Sequence, residues 1–511
     1  MLPVAFAHTL PKEHLPQSPY EAAILHLNSL QSNAANLQKI REKRGILQES
    51  NLPDTISKLN KCGIELDALD RLNVIHISGT KGKGSTCAFV ESILRSAGFR
   101  TGLYTSPHLV HARERIRIDG KPISETLFAK HFFTVYNKLK QQELESDMPP
   151  YFKFLTLLSF HVFLEECVDV AIVEVGIGGE YDATNIVQHP VVCGITTLDI
   201  DHTSILGTTL PEIAWHKAGI LKQGSPTVVT PLCQEAFNVV MGRASERGVE
   251  LQIAPLYQSY SFAKGSVSAG IAGDHQKVNI ALALQLARAW IKRMGREATI
   301  FPDATENKWE IGEPFFVPRP IVEAIESCHW RGRSQIVDLK RVRYYLDGAH
   351  TPKSMEVSIQ PVVVFFCVSL FASLKVCSNW FGDAVEKTNQ RKRVLVFQCT
   401  ADRNPSTLLP HLTRHAFDYA LFCPTALKVS PDLKSDLTNF NQSASEQRKR
   451  SQQCASTWKE IGTGEILVFD CITSTVERIE NLAETEDLDV LVTGSLHLVG
   501  GVLSLIEPSV D

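Results

Sequence analysis

The pattern of apolar and polar positions changes along this chain from a helical period to alternating strands and helices. Between Ser18 and Arg71, apolar residues recur at helical spacing, which predicts a helical N-terminal segment. The apolar runs 168–175 and 191–197 are predicted as buried strands, and 276–294 is predicted as a helix. This alternation predicts an α/β domain.

A proline-rich stretch precedes a second region of the same kind. Four prolines fall between residues 301 and 320, which favours a linker between two domains. We therefore divide the chain into an N-terminal extension (1–17), a first domain (18–315), a linker (316–330) and a second α/β domain (331–511). Strands are predicted in the second domain at 343–347, 394–399, 418–423, 466–469 and 489–493. The polar, charge-mixed stretch 439–453 is expected to be a solvated loop.

One segment of the second domain breaks the pattern. Residues 359–374 contain no charged side chain, yet the run is shorter than the ~20 apolar residues that a membrane span needs. A buried strand or helix is one interpretation. The other is a foreign insertion over 358–376, such as a translated intron.

Composition narrows the class of protein. The 511 residues are 44% hydrophobic and 21% charged, as in globular proteins, and the formal net charge of −4 gives no sign of a nucleic-acid surface. The twelve cysteines form no C-x-x-C pair, which indicates reduced thiols and a cytosolic-type compartment. No targeting sequence is evident in the first sixteen residues. We expect a cytoplasmic protein, with a mitochondrial form if another start codon adds a presequence.

The most specific signal is the stretch 74–89, VIHISGTKGKGSTCAF, which predicts a strand, a glycine-rich turn and the start of a helix. Such a turn directs backbone N–H groups and the positive end of a helix at a bound phosphate. Lys83 would neutralise phosphate charge, and Ser85 could reach a magnesium ion. The spacing departs from the general P-loop pattern, since Ile77 stands at its first glycine and Gly84 follows the lysine. The alternative is a glycine-rich turn without a ligand.

Polar residues also follow the next predicted strands. Glu174 ends one strand and precedes a glycine-rich turn, where α/β folds place metal ligands; an exposed acid in a turn is the alternative. His202 follows another strand at the same expected edge. Lys217 lies on a predicted helix, where it could equally be a solvated lysine. Gln276 and Asn279, at a helix start, could bind a nucleotide base or cap the helix.

The second domain offers a similar set. Arg333, in the sequence WRGR, could bind phosphate as a planar fork. Asp347 and His350 leave the end of a predicted strand in the sequence YLDGAHT. Two domains that each present such an edge predict a cleft between them.

Together these motifs resemble the folylpolyglutamate synthase family of the Mur ligase superfamily, in the eukaryotic form. The resemblance runs from about residue 18 to about 503. Its elements are GTKGKGST (79–86), TSPHLVHARERIRIDGKPIS (105–124), MPPYFKFLT (148–156), VEVGIGGEYDATN (173–185), DHTSILG (201–207), KAGI (217–220), HQKVN (275–279), WRGR (330–333) and YLDGAHT (345–351).

The resemblance implies a fold and an activity. The fold is α/β, with a P-loop-containing, ATP-binding domain built on a doubly wound sheet and a smaller Rossmann-like C-terminal domain. The activity is ATP-dependent addition of L-glutamate to the γ-carboxylate of folates through an acyl phosphate. The implied cofactors are ATP and Mg²⁺ at two sites, with a monovalent cation such as K⁺ as a further candidate. The implied partners are reduced folates and L-glutamate, and we expect a monomer without nucleic acid or a membrane span.

The resemblance also implies residue roles. The expected catalytic residues are Lys83, Lys217 (carried as a carbamate), Asp347 and His350. The expected nucleotide-binding residues are Gly79, Thr80, Lys81, Gly82, Lys83, Gly84, Ser85, Thr86, Asn185, Gln276, Asn279, Arg333 and Asp347. The expected metal ligands are Ser85, Glu174 and His202. The expected folate-binding residues are Thr105, Ser106, Pro107, His108, Tyr151, Phe152, Phe154 and Thr156.

The sequence departs from the family pattern at two places, and two other functions stay open. The insertion at 358–376 separates Asp347 and His350 from the helix that they would start, and the family segment GDRDP occurs as ADRNP (401–405). One alternative is dihydrofolate synthase activity. The other is a folate- or nucleotide-binding protein that the insertion leaves without catalysis.

Overall fold

The computed structural model describes residues 16–31, 44–142, 144, 147–301, 309–349, 373–385, 391–399, 403–429, 432, 434–438 and 443–507. Its α-helices are α1 (Pro19–Ser29), α2 (Arg44–Lys61), α3 (Lys83–Ser96), α4 (Glu125–Lys140), α5 (Tyr151–Glu165), α6 (Thr203–Leu206), α7 (Leu210–Lys217), α8 (Gln234–Glu246), α9 (Gln276–Arg293), α10 (Glu297–Ile300), α11 (Arg319–Glu326), α12 (Ser373–Val385), α13 (Pro405–Leu408), α14 (Ala444–Ile461), α15 (Ile472–Ala483) and α16 (Leu496–Ile506).

The strands alternate with these helices. They are β1 (Ile75–Ser78), β2 (Thr101–Tyr104), β3 (Ile116–Ile118), β4 (Lys121–Pro122), β5 (Val170–Glu174), β6 (Val192–Ile195), β7 (Thr227–Val229), β8 (Leu251–Ile253), β9 (Ser261–Phe262), β10 (Phe316–Val317), β11 (Gln335–Leu339), β12 (Val342–Leu346), β13 (Lys392–Phe397), β14 (Tyr419–Phe422), β15 (Glu465–Val468) and β16 (Leu488–Thr493).

The first domain is built on an eight-stranded sheet in the order β4-β3-β2-β5-β1-β6-β7-β8. The strands from β2 to β8 pair in parallel, and β3 and β4 add an antiparallel edge. β1 lies in the middle, between β5 and β6, and all four of its residues are buried. The turn that follows β1 therefore emerges at the centre of the sheet's carboxyl edge, where α/β folds bind ligands.

Helices cover both faces of this sheet. On one face α9 and α11 pack against α3, around a core that includes Phe89 and Trp290. On the other face α1, α4 and α5 bury an aromatic cluster that includes Phe132 and Phe154, with ring centroids 4.9 Å apart. The predicted doubly wound domain is confirmed.

The predicted linker has a different structure from the one expected. Residues 316–330 contain β10, which pairs with β9, and α11. Ile321, Val322 and Ile325 of α11 are buried in the core of the first domain, so most of this proline-rich stretch belongs to that domain. Prolines open α11 at its first turn, where a missing N–H is tolerated, and therefore do not prevent a helix.

The second domain is built on a six-stranded sheet in the order β11-β12-β16-β13-β14-β15. All neighbours pair in parallel except β11 and β12, which form an antiparallel hairpin. This agrees with the expected smaller Rossmann-like domain. The four predicted strands from 394 onwards and the one at 343–347 are all present, with ends within two residues of the prediction.

The expected solvated loop at 439–453 is wrong for its larger part, because α14 begins at Ala444. Ser443 and Glu446 form a capping box that fixes the start of this helix. Ser451, Ala455 and Trp458 then lie on one buried face at helical spacing. This face is short of large apolar residues, which is why the polar composition was misleading.

The predicted insertion at 358–376 lies mostly outside the described residues. Its last residues, from 373, form the first turn of α12, which continues through Trp380 and Phe381. Leu374 is fully buried and packs in one cluster with Phe381 and Tyr345. Among the described helices, none combines the length and apolarity that crossing a bilayer requires.

The two domains share one piece of core. Leu109 and Val110, in the loop after β2, are buried among Leu498 and Val499 of α16 in the second domain. A Cβ atom on Gly500 would lie only 1.9 Å from the carbonyl oxygen of Leu109, so glycine is required at this contact. The loop after β2, which contains the predicted folate-binding residues 105–108, is thus packed against the second domain.

Candidate active site

The predicted P-loop connects β1 to α3 and has the backbone that phosphate binding requires. Gly79 and Gly82 have φ values of 142° and 86°, in the region that favours glycine. A Cβ on Gly79 would lie 1.9 Å from Thr196 Oγ1, and one on Gly82 would lie 2.1 Å from Asn279 Oδ1. Both conformation and space therefore demand glycine. The N-terminus of α3, at Lys83, has no side-chain cap in the described structure.

In the first half of this turn, the backbone N–H groups and the lysine side chain already have partners within the protein. The N–H groups of Thr80 and Lys81 both donate to the Thr197 carbonyl, at 2.9 and 3.1 Å. Lys81 Nζ lies 3.1 Å from Asp201 Oδ2, and burial lowers the pKa of Lys81 against the attraction of this carboxylate. The positive groups left for a phosphate are Lys83 and the N-terminus of α3.

The P-loop opens into a cavity of about 1000 Å³ that both domains line. Most of the predicted site residues meet there. Those that line the cavity are Thr80, Lys81, Gly82, Lys83, Gly84, Ser85, Ser106, Pro107, His108, Tyr151, Phe152, Glu174, His202, Gln276, Asn279, Arg333 and Asp347. His350 lies outside the described residues.

Glu174 ends β5, directly beside the P-loop. Its Oε2 atom accepts a hydrogen bond from the Ser106 N–H at 2.9 Å, and a Cβ on Gly84 would lie 3.7 Å from the same atom. Burial raises the pKa of Glu174, although Lys83 and the Ser106 N–H oppose this shift. A buried carboxylate beside a phosphate-binding turn has the chemistry of a magnesium ligand.

His202 and Lys217 lie on the opposite side of the P-loop. His202 has a left-handed backbone (φ 52°), and desolvation in the cleft lowers its pKa to about 4, against the attraction of Asp201. It is therefore neutral at pH 7 and can act as a ligand. Lys217 is buried behind the turn, where its Nζ donates to the Gly79 carbonyl at 2.7 Å. Burial, and then repulsion from Lys83, lowers the pKa of Lys217 well below its ordinary value.

A chain of amides and an imidazole lines the start of α9. Asn279 Nδ2 donates to Gln276 Oε1 at 2.8 Å, and Gln276 Nε2 lies 2.9 Å from His275 Nε2. His275 Nδ1 is buried and has no hydrogen-bond partner among the described atoms. This nitrogen faces Gly273, since a Cβ added there would lie 2.8 Å from it. The side chains of Gln276 and Asn279 line the cavity.

The second domain contributes Arg333 and Asp347 to the same cavity. Asp347 follows β12 and accepts hydrogen bonds from the N–H groups of Ser334 (2.8 Å) and Ala349 (2.9 Å), which fix its carboxylate. Asp347 attracts the imidazolium form of His275 across the cleft, although burial keeps the pKa of His275 below its ordinary value. Arg403 of the second domain also reaches Asp201, at 3.6 Å.

The predicted folate-binding residues divide into two groups. His108 lines the cavity together with Tyr151 and Phe152. Arg115, which the sequence reading did not single out, lies with them; its Nε donates to His108 Nδ1 at 3.0 Å, and its guanidinium lies 5.3 Å from the Tyr151 ring centroid. A narrower groove of about 270 Å³ adjoins the cavity and shares Phe152 and Asp182 with it.

The other group lies away from the cavity lining. Phe154 and Thr156 are fully buried, Phe154 in the aromatic cluster and Thr156 against the Tyr104 hydroxyl at 3.1 Å. Asn185 joins two loops, donating to the carbonyls of Glu180 (3.0 Å) and Gly219 (3.1 Å). Four further predicted site residues do not line the cavity: Gly79, Thr86, Thr105 and Lys217. These residues support the site, and the structure gives none of them a surface on the cavity.

Known proteins resemble this chain over nearly its whole length. A putative folylpolyglutamate synthase of Caenorhabditis elegans is 48% identical over 496 residues, which cover 95% of this chain and 92% of the relative. The mitochondrial folylpolyglutamate synthase of Homo sapiens is 37% identical over 570 aligned positions, covering 97% and 94%. The chain belongs to the folylpolyglutamate synthase family. No protein-family model matches it.

Solved structures of folylpolyglutamate synthases share the fold. The enzyme of Mycobacterium tuberculosis, complexed with ADP and AMPPCP, superposes with a TM-score of 0.66 at 20% identity and covers 93% of this chain and 98% of its own. The enzyme of Thermotoga maritima superposes with a TM-score of 0.63 at 25% identity, covering 90% and 94%. The predicted family, enzyme class and α/β fold are therefore confirmed for this family member.

Proposed function

We propose that this protein uses ATP to add L-glutamate to the γ-carboxylate of a folate. The observation that carries the proposal is that the P-loop and the turn at Ser106–His108 open into one cavity. A nucleotide phosphate at Lys83 and a carboxylate-bearing substrate at His108 would then lie within a single enclosed space, as phosphoryl transfer between them requires.

The chemistry explains why a phosphate site is needed to form an amide. A carboxylate resists attack by an amine because oxide is a poor leaving group. Transfer of the γ-phosphoryl group of ATP to the carboxylate gives an acyl phosphate and ADP. The amine of L-glutamate then attacks the carbonyl carbon, and inorganic phosphate leaves with the C–O bond electrons. Positioning and electrostatic stabilisation are the protein's main contributions to such a transfer.

At the nucleotide end, Lys83 and the N-terminus of α3 bind phosphate oxygens. Gln276 and Asn279 offer amide groups for hydrogen bonds to a base or ribose. Arg333 lines the cavity from the second domain, where its guanidinium balances phosphate charge. The Asp347 carboxylate accepts hydrogen bonds from the N–H groups of Ser334 and Ala349, which hold it at the edge of the cavity.

The residues around the P-loop fit magnesium. Ser85 and Glu174 are both buried and adjoin the phosphate turn, and neutral His202 stands on its other side. No group of three or more His, Cys, Asp or Glu side chains with metal-binding geometry occurs in the described part of the chain. Magnesium commonly takes one or two protein ligands and completes its shell with substrate phosphates and water, so the small donor set suits it. Bound there, the ion would neutralise charge on the phosphates.

Lys217 is proposed to carry a carbamate, as the family resemblance implies. The support is that burial and Lys83 favour its neutral amine, the form that reacts with carbon dioxide. A carbamate would give a negative group close to His202 and the phosphates. The test is the intact mass of active protein purified with and without bicarbonate. A free amine in fully active protein would refute this role.

At the folate end, Phe152 and Asp182 stand where the cavity meets the narrower groove. Both oxygens of the Asp182 carboxylate accept hydrogen bonds from the protein, from the N–H groups of Ile177 and Thr184 and from the Thr184 hydroxyl, so Asp182 shapes this junction. The Phe152 ring offers a flat surface that suits a heterocycle such as a pterin. Arg115 lines the cavity beside His108 and Tyr151 and is a cation that can pair with the substrate's carboxylates. The deciding experiment measures glutamate incorporation with ATP and either monoglutamyl tetrahydrofolate or dihydropteroate. Product from dihydropteroate alone would replace the proposal with dihydrofolate synthase activity, and folate binding without ADP formation would identify a non-catalytic binding protein.

The domain limits at 18–315 and 331–511, the monomeric state and the compartment stay proposals. The buried position of α11 supports a domain limit near residue 328. Analytical ultracentrifugation would test the monomer, and fluorescence imaging of the tagged full-length chain would test the compartment.

A further inference from the structure

A short segment of the second domain lies across the beginning of the first. We call residues 434–438 the strap. Asn28 Nδ2 donates to the Ser435 carbonyl at 2.9 Å, and Gln31 Nε2 donates to the Thr438 carbonyl at 2.8 Å. The Tyr20 hydroxyl donates to Asp436 Oδ1 at 2.7 Å, which joins residues 416 positions apart. The strap is therefore fixed to α1 and to the residues that follow it.

Asp436 is the centre of this contact, and protein donors surround its carboxylate. Oδ1 also accepts from the Ala112 N–H at 2.6 Å, and Oδ2 lies 3.5 Å from His111 Nδ1. Burial opposes ionisation, but His111, Tyr20 and the Ala112 N–H outweigh it and lower the pKa of Asp436 below its ordinary value. The carboxylate is thus ionised and occupied by the protein, which suits a positioning residue better than an acid or base.

A backbone carbonyl of the strap helps to fix the orientation and the tautomer of the His108 ring. His108 Nδ1 accepts from Arg115 Nε, so the ring proton resides on Nε2. Nε2 then donates to the Asp436 carbonyl oxygen at 3.0 Å. Both ring nitrogens are fixed, and with them the orientation of His108 towards the cavity. Asp436, Leu437 and Thr438 of the strap line the same cavity, as does Gln31.

We propose that the strap completes the folate end of the cavity and that Asp436 positions it by joining α1, the 108–112 turn and His108. This inference rests on the proposed function, which assigns that end to folate. It makes α1 and the strap determinants of folate affinity, although no residue of α1 lines the cavity. The nucleotide end lies at the P-loop and makes none of these contacts.

The test uses the full chain and removes single polar groups. Tyr20→Phe deletes one hydroxyl and keeps the ring, which packs on Phe128 with centroids 5.4 Å apart. Asp436→Asn removes the charge at nearly constant shape. The matched control is Tyr419→Phe, which deletes a hydroxyl bonded to Glu486 Oε2 at 3.2 Å on β14, outside the cavity lining. The readouts are the Kd for monoglutamyl tetrahydrofolate by equilibrium dialysis, the KM for folate and the KM for ATP.

Loss of a hydrogen bond to a charged group should raise the folate Kd and KM about tenfold in both Tyr20→Phe and Asp436→Asn. The KM for ATP and all constants of the control should stay within about twofold of wild type, a change below 0.5 kcal/mol in binding. In the double variant Tyr20→Phe/Asp436→Asn, the effects should be less than additive because both changes break one contact.

An unchanged folate Kd in both well-folded variants would overturn the inference and leave the proposed function standing. Equal losses for folate and ATP would also overturn it, since they would indicate a general structural role. If Asp436→Asn fails to fold, Tyr20→Phe alone decides the outcome. A wild-type chain that binds no folate would refute the proposed function itself, and the inference with it.

Discussion

Gly82→Ala is the substitution whose effect the structure specifies most closely. Gly82 and Gly98 have the same φ, 86°, so alanine suffers the same backbone strain at both positions. They differ in their surroundings. A Cβ on Gly98 meets no atom within 4 Å, whereas one on Gly82 would lie 2.1 Å from Asn279 Oδ1. Gly98→Ala is therefore the matched control, and the difference between the two variants isolates the steric effect.

The magnitude follows from two contributions. The left-handed conformation costs an alanine about 1–2 kcal/mol, which both variants share. At Gly82 the buried Asn279 amide must also move by more than 1 Å to restore van der Waals contact, since ~3.4 Å is the usual closest approach. That movement breaks the 2.8 Å bond from Asn279 Nδ2 to Gln276, worth about 1 kcal/mol, and displaces the residues proposed to bind the nucleotide. We expect Gly82→Ala to be destabilised by about 1–2 kcal/mol more than Gly98→Ala.

The assay combines calorimetry of unfolding with steady-state kinetics. Gly82→Ala should lower the unfolding midpoint further than Gly98→Ala and raise the KM for ATP about tenfold, whereas Gly98→Ala should leave the KM for ATP unchanged. Addition of ATP with magnesium should stabilise Gly98→Ala as it does wild type, and Gly82→Ala much less. Equal midpoints and equal KM values for the two variants would refute the argument that Asn279 and the P-loop are in contact.

The remaining predictions concern four other features. Lys83→Ala should reduce kcat/KM for ATP by more than about 100-fold at an unchanged unfolding midpoint, measured by ADP release; a near-normal rate would contradict its phosphate role. Glu174→Gln should abolish magnesium-dependent turnover without lowering the free energy of unfolding at pH 7. Burial raises the pKa of Glu174, so the folded state binds the proton more tightly than the unfolded state. Ionisation of Glu174 therefore lowers the stability of the wild-type protein as the pH rises through that pKa, and glutamine removes this loss. A magnesium titration and an unfolding curve check both statements. Lys217→Ala should lose activity and regain part of it with added short carboxylates; no recovery would count against the carbamate. Deletion of 358–372 should raise soluble ligase activity above that of the full chain. Deletion of 358–376 also removes the buried side chain of Leu374, so this variant should unfold with about 2–5 kcal/mol less free energy than the 358–372 deletion, measured by chemical denaturation.

Local sequence patterns were sufficient for the parts of the site that local structure builds. The P-loop, Glu174 at the end of β5 and Asp347 after β12 could each be placed because a strand followed by glycine or a polar residue fixes its own geometry. The doubly wound fold followed from the same alternation. Phe154 and Thr156 show the limit of motif reasoning. They lie about one turn further along α5 than Tyr151 and Phe152 and are fully buried in the core, so of these four residues only Tyr151 and Phe152 line the cavity.

The features that sequence reading missed depend on contacts between distant segments. Asp436 lies in a stretch without any motif, and only its proximity to Tyr20 and His108 reveals a role. Arg115 stands inside a recognised motif, but its position between His108 and Tyr151 is set by tertiary structure. The helix α14 was missed because its buried face consists largely of small and polar residues, so its apolar period is weak.

The burial of Leu109 and Val110 in the second domain has a consequence for dissecting this protein. A fragment that begins after residue 330 would lack these two side chains and would expose a gap beside Val499, while the complementary fragment would present them to water. Neither half is therefore a self-sufficient module. Exchange of whole domains between relatives would have to transfer the 105–112 loop together with the second domain. A chimera joined at a single point near residue 330 would separate this loop from the core in which it packs.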